Sequence, residues 1–325
     1  MKRIFIFSAV FLIVFLILFG AAGCHRMSIR AKPKREEGKI NVTSVIFPSY
    51  DFVRVIAGDR VNLFLLLPPG TESHSFEASP FDIINIRESD LFIYPGGESS
   101  GWVDRILAST GIKEDRMKVI KLIGLVEAVD EEIVEGMEDD EEVEHEEDHP
   151  VLDEHIWTSP RNAKLIVAAI TEVLCDLDGV NANFYRQNAA DYSAWLDELD
   201  AAFRSVVEGA KRNTIIFGDR FPFRYLANAY GLEYFAAYPG CSTETEPSAA
   251  TVRFLINKVK SEQVPVIFHI ELSDEKVADT VSEATGAKKL LLHSAHNVTK
   301  KDFDAGVNYI DLQKTNVANL KEALW

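Results

Sequence analysis

The sequence predicts an α/β protein with mainly parallel sheets, arranged as two halves that meet around a long central helix. Three observations lead there. Short β-branched or apolar runs alternate with helical segments both before and after the middle of the chain, the pattern of βα units. Between the halves, Asn162 to Leu177 has the period of a strongly amphipathic helix, with Ser159-Pro160 at its start and Asp178-Gly179 at its end. About 285 residues remain once the N-terminal segments are set aside, which exceeds the size at which one hydrophobic core keeps growing.

The elements follow in order. Ile40 to Phe47 is a β-branched run that ends at Pro48, a strand signal, and Tyr50 to Ala57 reads as a helix stopped by Gly58. Val61 to Leu67 is a second apolar strand, closed by Pro68-Pro69-Gly70. Pro80 to Glu88 is helical, Leu91 to Tyr94 is a short buried strand, Trp102 to Ser109 is helical and Lys118 to Leu122 is a strand. Apolar period then disappears from Val126 to Pro150. Beyond the central helix, Asn181 to Lys211 is a second long helical region. The alternation resumes with strands at Thr214–Phe217, Glu233–Ala237, Val264–Ile270 and Lys289–Leu292. Helices fall between them at Arg224–Tyr230, Ser248–Glu262 and Asp274–Thr285, and Val307 to Leu324 closes the chain as a helix. The halves share architecture but no close sequence repeat.

The N-terminus reads as an export signal. Lys2 and Arg3 supply the positive charge, Ile4 to Phe19 is apolar except for Ser8, and small residues lead to Cys24. This segment resembles a bacterial lipobox, which implies lipidation of Cys24; an uncleaved membrane anchor is the alternative. Both readings leave the rest of the chain outside the cytoplasm, tethered to the cell membrane. The basic, polar stretch up to Lys39 is a stalk. The resulting plan is a signal segment at 1–23, a stalk at 24–39, an N-terminal lobe at 40–158 with an acidic loop at 127–150, a linking helix at 159–178 and a C-terminal lobe at 179–325. Net charge is −17, and removal of Lys2 and Arg3 takes it to −19. Most of it is local, since Asp130 to Asp148 holds 13 acids and no Lys or Arg. With no basic patch interleaved with aromatics, nucleic-acid binding is excluded. Cys175 and Cys241 are left as either a disulfide or two free thiols, and the absence of a CxxC pair argues against a cysteine-ligated zinc site.

Histidines carry the chemistry. His74, His155, His293 and His296 each follow or adjoin an apolar run, where imidazoles from distant strand ends can converge on one metal ion. Asp219 at a strand end and Glu271 in FHIELSD are further oxygen donors. His269 lies inside a strand and reads as a core residue. Within the acidic tract, His145 and His149 stand four apart and are a candidate metal antenna, against the plainer reading of a solvated, self-repelling segment.

The segment PPGTESHSFEASP around His74 and the segment LDEHIWTSP around His155 resemble motifs of the TroA-like zinc and manganese solute-binding proteins of cluster A-I ABC importers. TETEPSA (243–249) and the closing YIDLQKTNVANLKEAL (309–324) are similar to further stretches of that family, in the same order and spacing. The resemblance implies two open βα-sandwich lobes joined by a long rigid helix, with a metal site in the cleft between them. It also implies a monomer that hands its ion to a membrane permease served by an ATPase, with no enzyme activity. It places His74 and His155 among the ligands. Two departures stand out. Arg220 occupies the place of the third ligand, and a guanidinium has no free lone pair. His293 occupies the place of an aspartate. A ligand set of His74, His155 and His293 follows, with Glu271, His296 and Asp219 open as the remaining donor. Glu246 joins Glu271 and Asp219 as an expected partner for the Arg220 cation. This imidazole-rich set favours Zn2+ over Mn2+. The competing classes are a surface adhesin or binder of organic metal complexes, and a secreted zinc hydrolase, for which no HExxH helix is present.

Overall fold

Two four-strand layers of the same strand order organise the chain. The computed structural model describes residues 35–72, 76–110, 116–137, 151–242 and 247–325. In the first half, β1 (Asn41–Ser44), β2 (Asn62–Leu65), β3 (Leu91–Tyr94) and β4 (Lys118–Lys121) form a parallel sheet in the order β2-β1-β3-β4. In the second half, β5 (Thr214–Ile216) pairs in parallel with β7 (Glu233–Phe235), and β9 (Val266–His269) with β10 (Lys288–Leu291). A parallel bridge between Phe217 and Phe268 joins the two pairs, giving the order β7-β5-β9-β10. Each layer therefore reverses its winding beside its first strand, and in open α/β sheets ligands sit outside the strand ends at such a point. The two-residue pair β6 (Arg220–Phe221) and β8 (Tyr238–Pro239) is added at that edge of the second half.

The strands are short and buried. Leu91, Phe92 and Ile93 have no exposure at all, as expected for a strand covered on both faces by crossover helices. The first helix, α1 (Phe47–Ala57), starts earlier than the residue pattern suggests. Pro48 does not end a strand here; it sits in the first helical turn, where its missing N–H costs nothing. The helix α2 (Pro80–Arg87) begins with a full capping box in which Ser79 and Asp82 satisfy each other's backbone N–H. Short α3 (Gly101–Thr110) completes this half.

The middle helix α4 (Pro160–Leu177) buries Ala163, Ile166, Val167, Ile170 and Leu174, the i, i+3, i+4, i+7 stripe of a core-facing helix. It packs along α5 (Ala182–Glu208), which presents Tyr185, Ala189, Tyr192, Leu196, Leu199 and Phe203 on its buried face. At 27 residues α5 is about 40 Å long and serves as a spine. Phe52 of α1 meets Tyr192 of α5 at 5.7 Å between ring centres. The same ring meets Tyr309, at the start of the last helix, at 5.0 Å. One aromatic cluster thus ties the first lobe, the spine and the end of the chain. The second lobe is completed by α6 (Arg224–Tyr230), α7 (Ala249–Glu262), α8 (Lys276–Thr285), short α9 (Lys300–Asp304) and α10 (Tyr309–Leu324). Helix and parallel sheet thus alternate through two lobes linked by α4.

Cys175 and Cys241 are both free thiols. Part of the acidic tract is packed rather than solvated. Glu132 pairs with Arg224 and accepts from the Tyr234 hydroxyl, and Glu131 accepts from the Cys241 N–H at 2.7 Å. Residues 138–150, with His145 and His149, lie outside the described residues, as do the signal segment and Cys24. Among the described residues no helix is long and apolar enough to cross a membrane.

Candidate metal site

His155 is delivered by the turn that precedes α4 and is 1 % exposed. Its ring Nδ1 lies 3.1 Å from Asp153 Oδ1, which also accepts the His155 backbone N–H at 2.8 Å. An Nδ1–H donated to a carboxylate leaves the Nε2 lone pair for a metal, the usual outer arrangement of zinc-binding histidines. Burial alone lowers the basicity of this imidazole. The Asp153 carboxylate, with Glu154 and Glu131 behind it, more than offsets that and raises its pKa. Glu154 is itself pushed up to about 7 by burial, opposed by His155 and by the Ser99 hydroxyl, which lies 2.5 and 2.6 Å from its two oxygens. The wall behind Glu154 is Gly97, at φ +80°, where an added Cβ would lie 2.8 Å from Glu154 Oε2. Only glycine fits there.

His296 faces His155. The two rings are 5.5 Å apart in an edge-to-face arrangement, and Trp157 stands 4.9 Å from His296 and 5.5 Å from His155. The Trp157 indole donates to Ser294 O at 2.9 Å, which fixes the turn that carries His296 against the start of α4. That turn wraps around Glu271. The Glu271 carboxylate accepts the N–H of Ser294 at 2.7 Å, the N–H of His296 at 3.1 Å and the Ser294 hydroxyl at 2.5 Å. Ala295, at φ +62°, supplies the left-handed residue that closes the turn. Leu272, directly after Glu271, is also left-handed at φ +61°. Both of these sterically disfavoured residues flank the cleft.

His293 enters the same turn but points elsewhere. Its Nδ1 accepts the Ala295 N–H at 2.9 Å and lies 3.4 Å from Glu271 Oε2, and its backbone is gripped on both sides by the Asn316 amide of α10. It is absent from the residues that line the cleft between the lobes. Those residues include Glu72, His155, Arg220, Glu271 and His296, around a cleft that opens to solvent and leaves about 30 Å³ for water-sized ligands. Asp219 sits behind Arg220. It accepts the N–H groups of Arg220 at 2.8 Å and Ile270 at 3.1 Å, and burial raises its pKa. The Arg220 guanidinium reaches instead to Glu72 and to Ser242 O. His269 Nδ1 donates within its own turn to Ile270 O at 3.1 Å. His74 and Glu246 lie outside the described residues. Among the described residues no three His, Cys, Asp or Glu side chains are close enough to hold a metal by themselves.

The turn that leads to His74 is nonetheless held in place. Asn297 donates to Pro68 O and Thr71 O, both at 2.8 Å, and Gly70 N–H donates to Val298 O at 2.7 Å. Residue reasoning missed Asp153, Ser294, Asn297 and Asn316. Asp153 was findable, since a carboxylate two residues before a candidate ligand is a ready outer partner. The others act through backbone contacts that leave no spacing signal.

Residues 42–323 match the family described as the periplasmic zinc-uptake complex component A. The chain belongs to this family. It is 33 % identical over 322 residues to the high-affinity zinc uptake system protein ZnuA of Bacillus subtilis, an alignment that covers 99 % of this chain and 97 % of that one. It is 32 % identical over 292 residues to the zinc-binding lipoprotein AdcA of Streptococcus pneumoniae, spanning 89 % of this chain and 56 % of that longer protein. The crystal structure of the Zn(II)-bound ZnuA-like domain of that AdcA superposes with a TM-score of 0.72 at 30 % identity, over 88 % of this chain and 99 % of the domain. In this zinc-uptake family member, Arg220 stands inside the cleft and His155 and His296 are the imidazoles that face each other across it.

Proposed function

We propose that this chain is the extracytoplasmic solute-binding component of a metal ABC importer, which captures Zn2+ between its lobes and passes it to a permease served by an ATPase. The observation that carries the reading is the pair His155 and His296, two buried imidazoles 5.5 Å apart in a cleft, one with its Nδ1 pinned by Asp153. His74, which follows the turn tethered by Asn297, is the third donor, and Glu271 stands beside the pair as carboxylate or as clamp of the turn. His293 and Asp219 support from behind through their contacts with Glu271, Ala295 and Arg220. Imidazole donors suit zinc, and Mn2+ is the weaker second choice because it prefers oxygen. Anchoring through Cys24 keeps the chain at the membrane surface where the permease lies, and the family's role is capture rather than catalysis.

The test is a zinc titration of the full chain in a mild non-ionic detergent after stripping by chelator. One zinc bound per chain, not displaced by excess Mn2+, supports the reading. Absence of stoichiometric zinc uptake sinks it.

A further inference from the structure

Arg220 is a permanent cation in a cleft that receives a cation. Its side chain is 13 % exposed and lines the same space as His155, His296 and Glu271. A guanidinium carries five N–H donors in a planar fork. One nitrogen, Nη1, makes all the contacts present: 3.0 Å to Ser242 O and a long 3.5 Å to Glu72 Oε1. The Nε–Nη2 edge, which holds three of the five donors, makes no hydrogen bond among the described residues. That edge is the one whose geometry matches two oxygens of a carboxylate or phosphate.

Two needs of a bound metal meet at this point. Like charges in a desolvated cleft repel, so an anion between Arg220 and the ion offsets an otherwise unfavourable encounter. A zinc site also needs a fourth donor, and Arg220 cannot supply one. The enclosed space for water-sized ligands is about 30 Å³, and the cleft opens to solvent, the side from which an oxyanion reaches the guanidinium.

We propose that the cleft binds its metal together with a small oxyanion, gripped side-on by Nε and Nη2 of Arg220, whose remaining oxygen completes the coordination of the ion. This rests on the reading of the cleft as a zinc site and names its cargo as a metal–oxyanion pair. No bond is made or broken beyond coordination.

The experiment measures zinc affinity of the chelator-stripped full chain by tryptophan fluorescence, with free zinc held by a metal buffer. Sodium chloride, sodium phosphate and sodium oxalate are compared at matched ionic strength. The expected result is an apparent Kd at least tenfold tighter in phosphate or oxalate than in chloride. The more effective of the two tells phosphate from carboxylate recognition. Arg220→Gln removes the dependence, and Arg220→Lys keeps only part, because an ammonium has the charge without the fork. Arg220→His, which places an imidazole where a guanidinium stood, binds zinc tightly in chloride alone. Thermal melts of each variant separate lost folding from lost recognition. A wild-type Kd that is the same in all three salts overturns the inference while leaving zinc capture intact, with Glu72 as the internal counter-ion. An anion effect that survives in Arg220→Gln overturns it too. If no zinc binds in any salt, the zinc reading itself fails and takes the inference with it.

Discussion

At the residue scale, the buried acids around His155 set two opposite pH trends. His155 has its pKa raised by Asp153, so its proton competes with a metal at pH values above the ordinary histidine range. Zinc affinity therefore weakens on acidification from a higher pH than an isolated imidazole would show. The metal-free protein behaves in the reverse sense. Glu154 titrates near 7 when folded against an ordinary value of 4.5, so the folded state holds a proton that the unfolded state has released. Stability is full below about pH 4.5 and declines as pH rises to about 7, by on the order of 3 kcal/mol for this group. His155 acts in the same direction above the unfolded histidine value. Glu154→Gln removes the acid and keeps its shape, so the melting temperature of the metal-free variant is expected to pull ahead of wild type between pH 5 and 8. Melting curves that stay parallel across that range would mean that Glu154 is not held protonated. Residue types pointed to His155 and to the cleft acids, but not to which neighbour on the LLLHSAHN turn faces the cleft. His293 and His296 are three apart, and a left-handed Ala295 between them sends the rings to different sides. Alanine carries no signal for that conformation, unlike glycine.

At the element scale, the site is assembled by turns at strand ends, each held by several buried or part-buried hydrogen bonds. Asn297 shows how much rests on one amide. It donates to two carbonyls of the half-buried 68–71 turn, and loss of the two part-buried bonds costs about 1–3 kcal/mol together. Asn297→Ala is expected to lower the unfolding free energy by that amount and to weaken zinc binding through the loosened approach to His74. Denaturant unfolding and zinc titration of the variant measure the two effects. A variant with wild-type zinc affinity would show that the tether serves folding only. The long elements were legible because burial imposes a period. The stripe of α4, the Pro160 start and the Gly231 and Gly286 helix ends all appear where the residues put them. Strand ends were less so. The run Ile40 to Phe47 is rich in β-branched residues on both sides of Ser44, and nothing in its pattern marks the point where β1 yields to α1. The β6–β8 pair is two residues long on each side, too short for any alternation to show.

At the scale of the whole molecule, the two lobes share a strand order and are tied by α4, α5 and the Phe52–Tyr192–Tyr309 cluster. A hinge needs a few residues free to change φ and ψ, and an 18-residue helix with a buried stripe offers none in its interior. Zinc capture is thus expected to proceed by movement of turns rather than by rotation of lobes. X-ray scattering of the metal-free and zinc-loaded forms should give the same radius of gyration within error, and a clear compaction on loading would contradict the stiff connection. The two-lobe plan was legible from chain length and from the alternation on either side of residues 160–177, whereas the shared winding of the two sheets depends on long-range pairing that residue patterns do not carry. The central claim is that the metal is held between His155 and His296, and the most direct test is zinc titration of the detergent-solubilised full chain, read through Trp157, with His155→Ala, His296→Ala and His293→Ala side by side. The account predicts an affinity loss of about 100-fold or more for the first two and a clearly smaller one for His293→Ala. Wild-type affinity in both His155→Ala and His296→Ala, or a loss confined to His293→Ala, would contradict it.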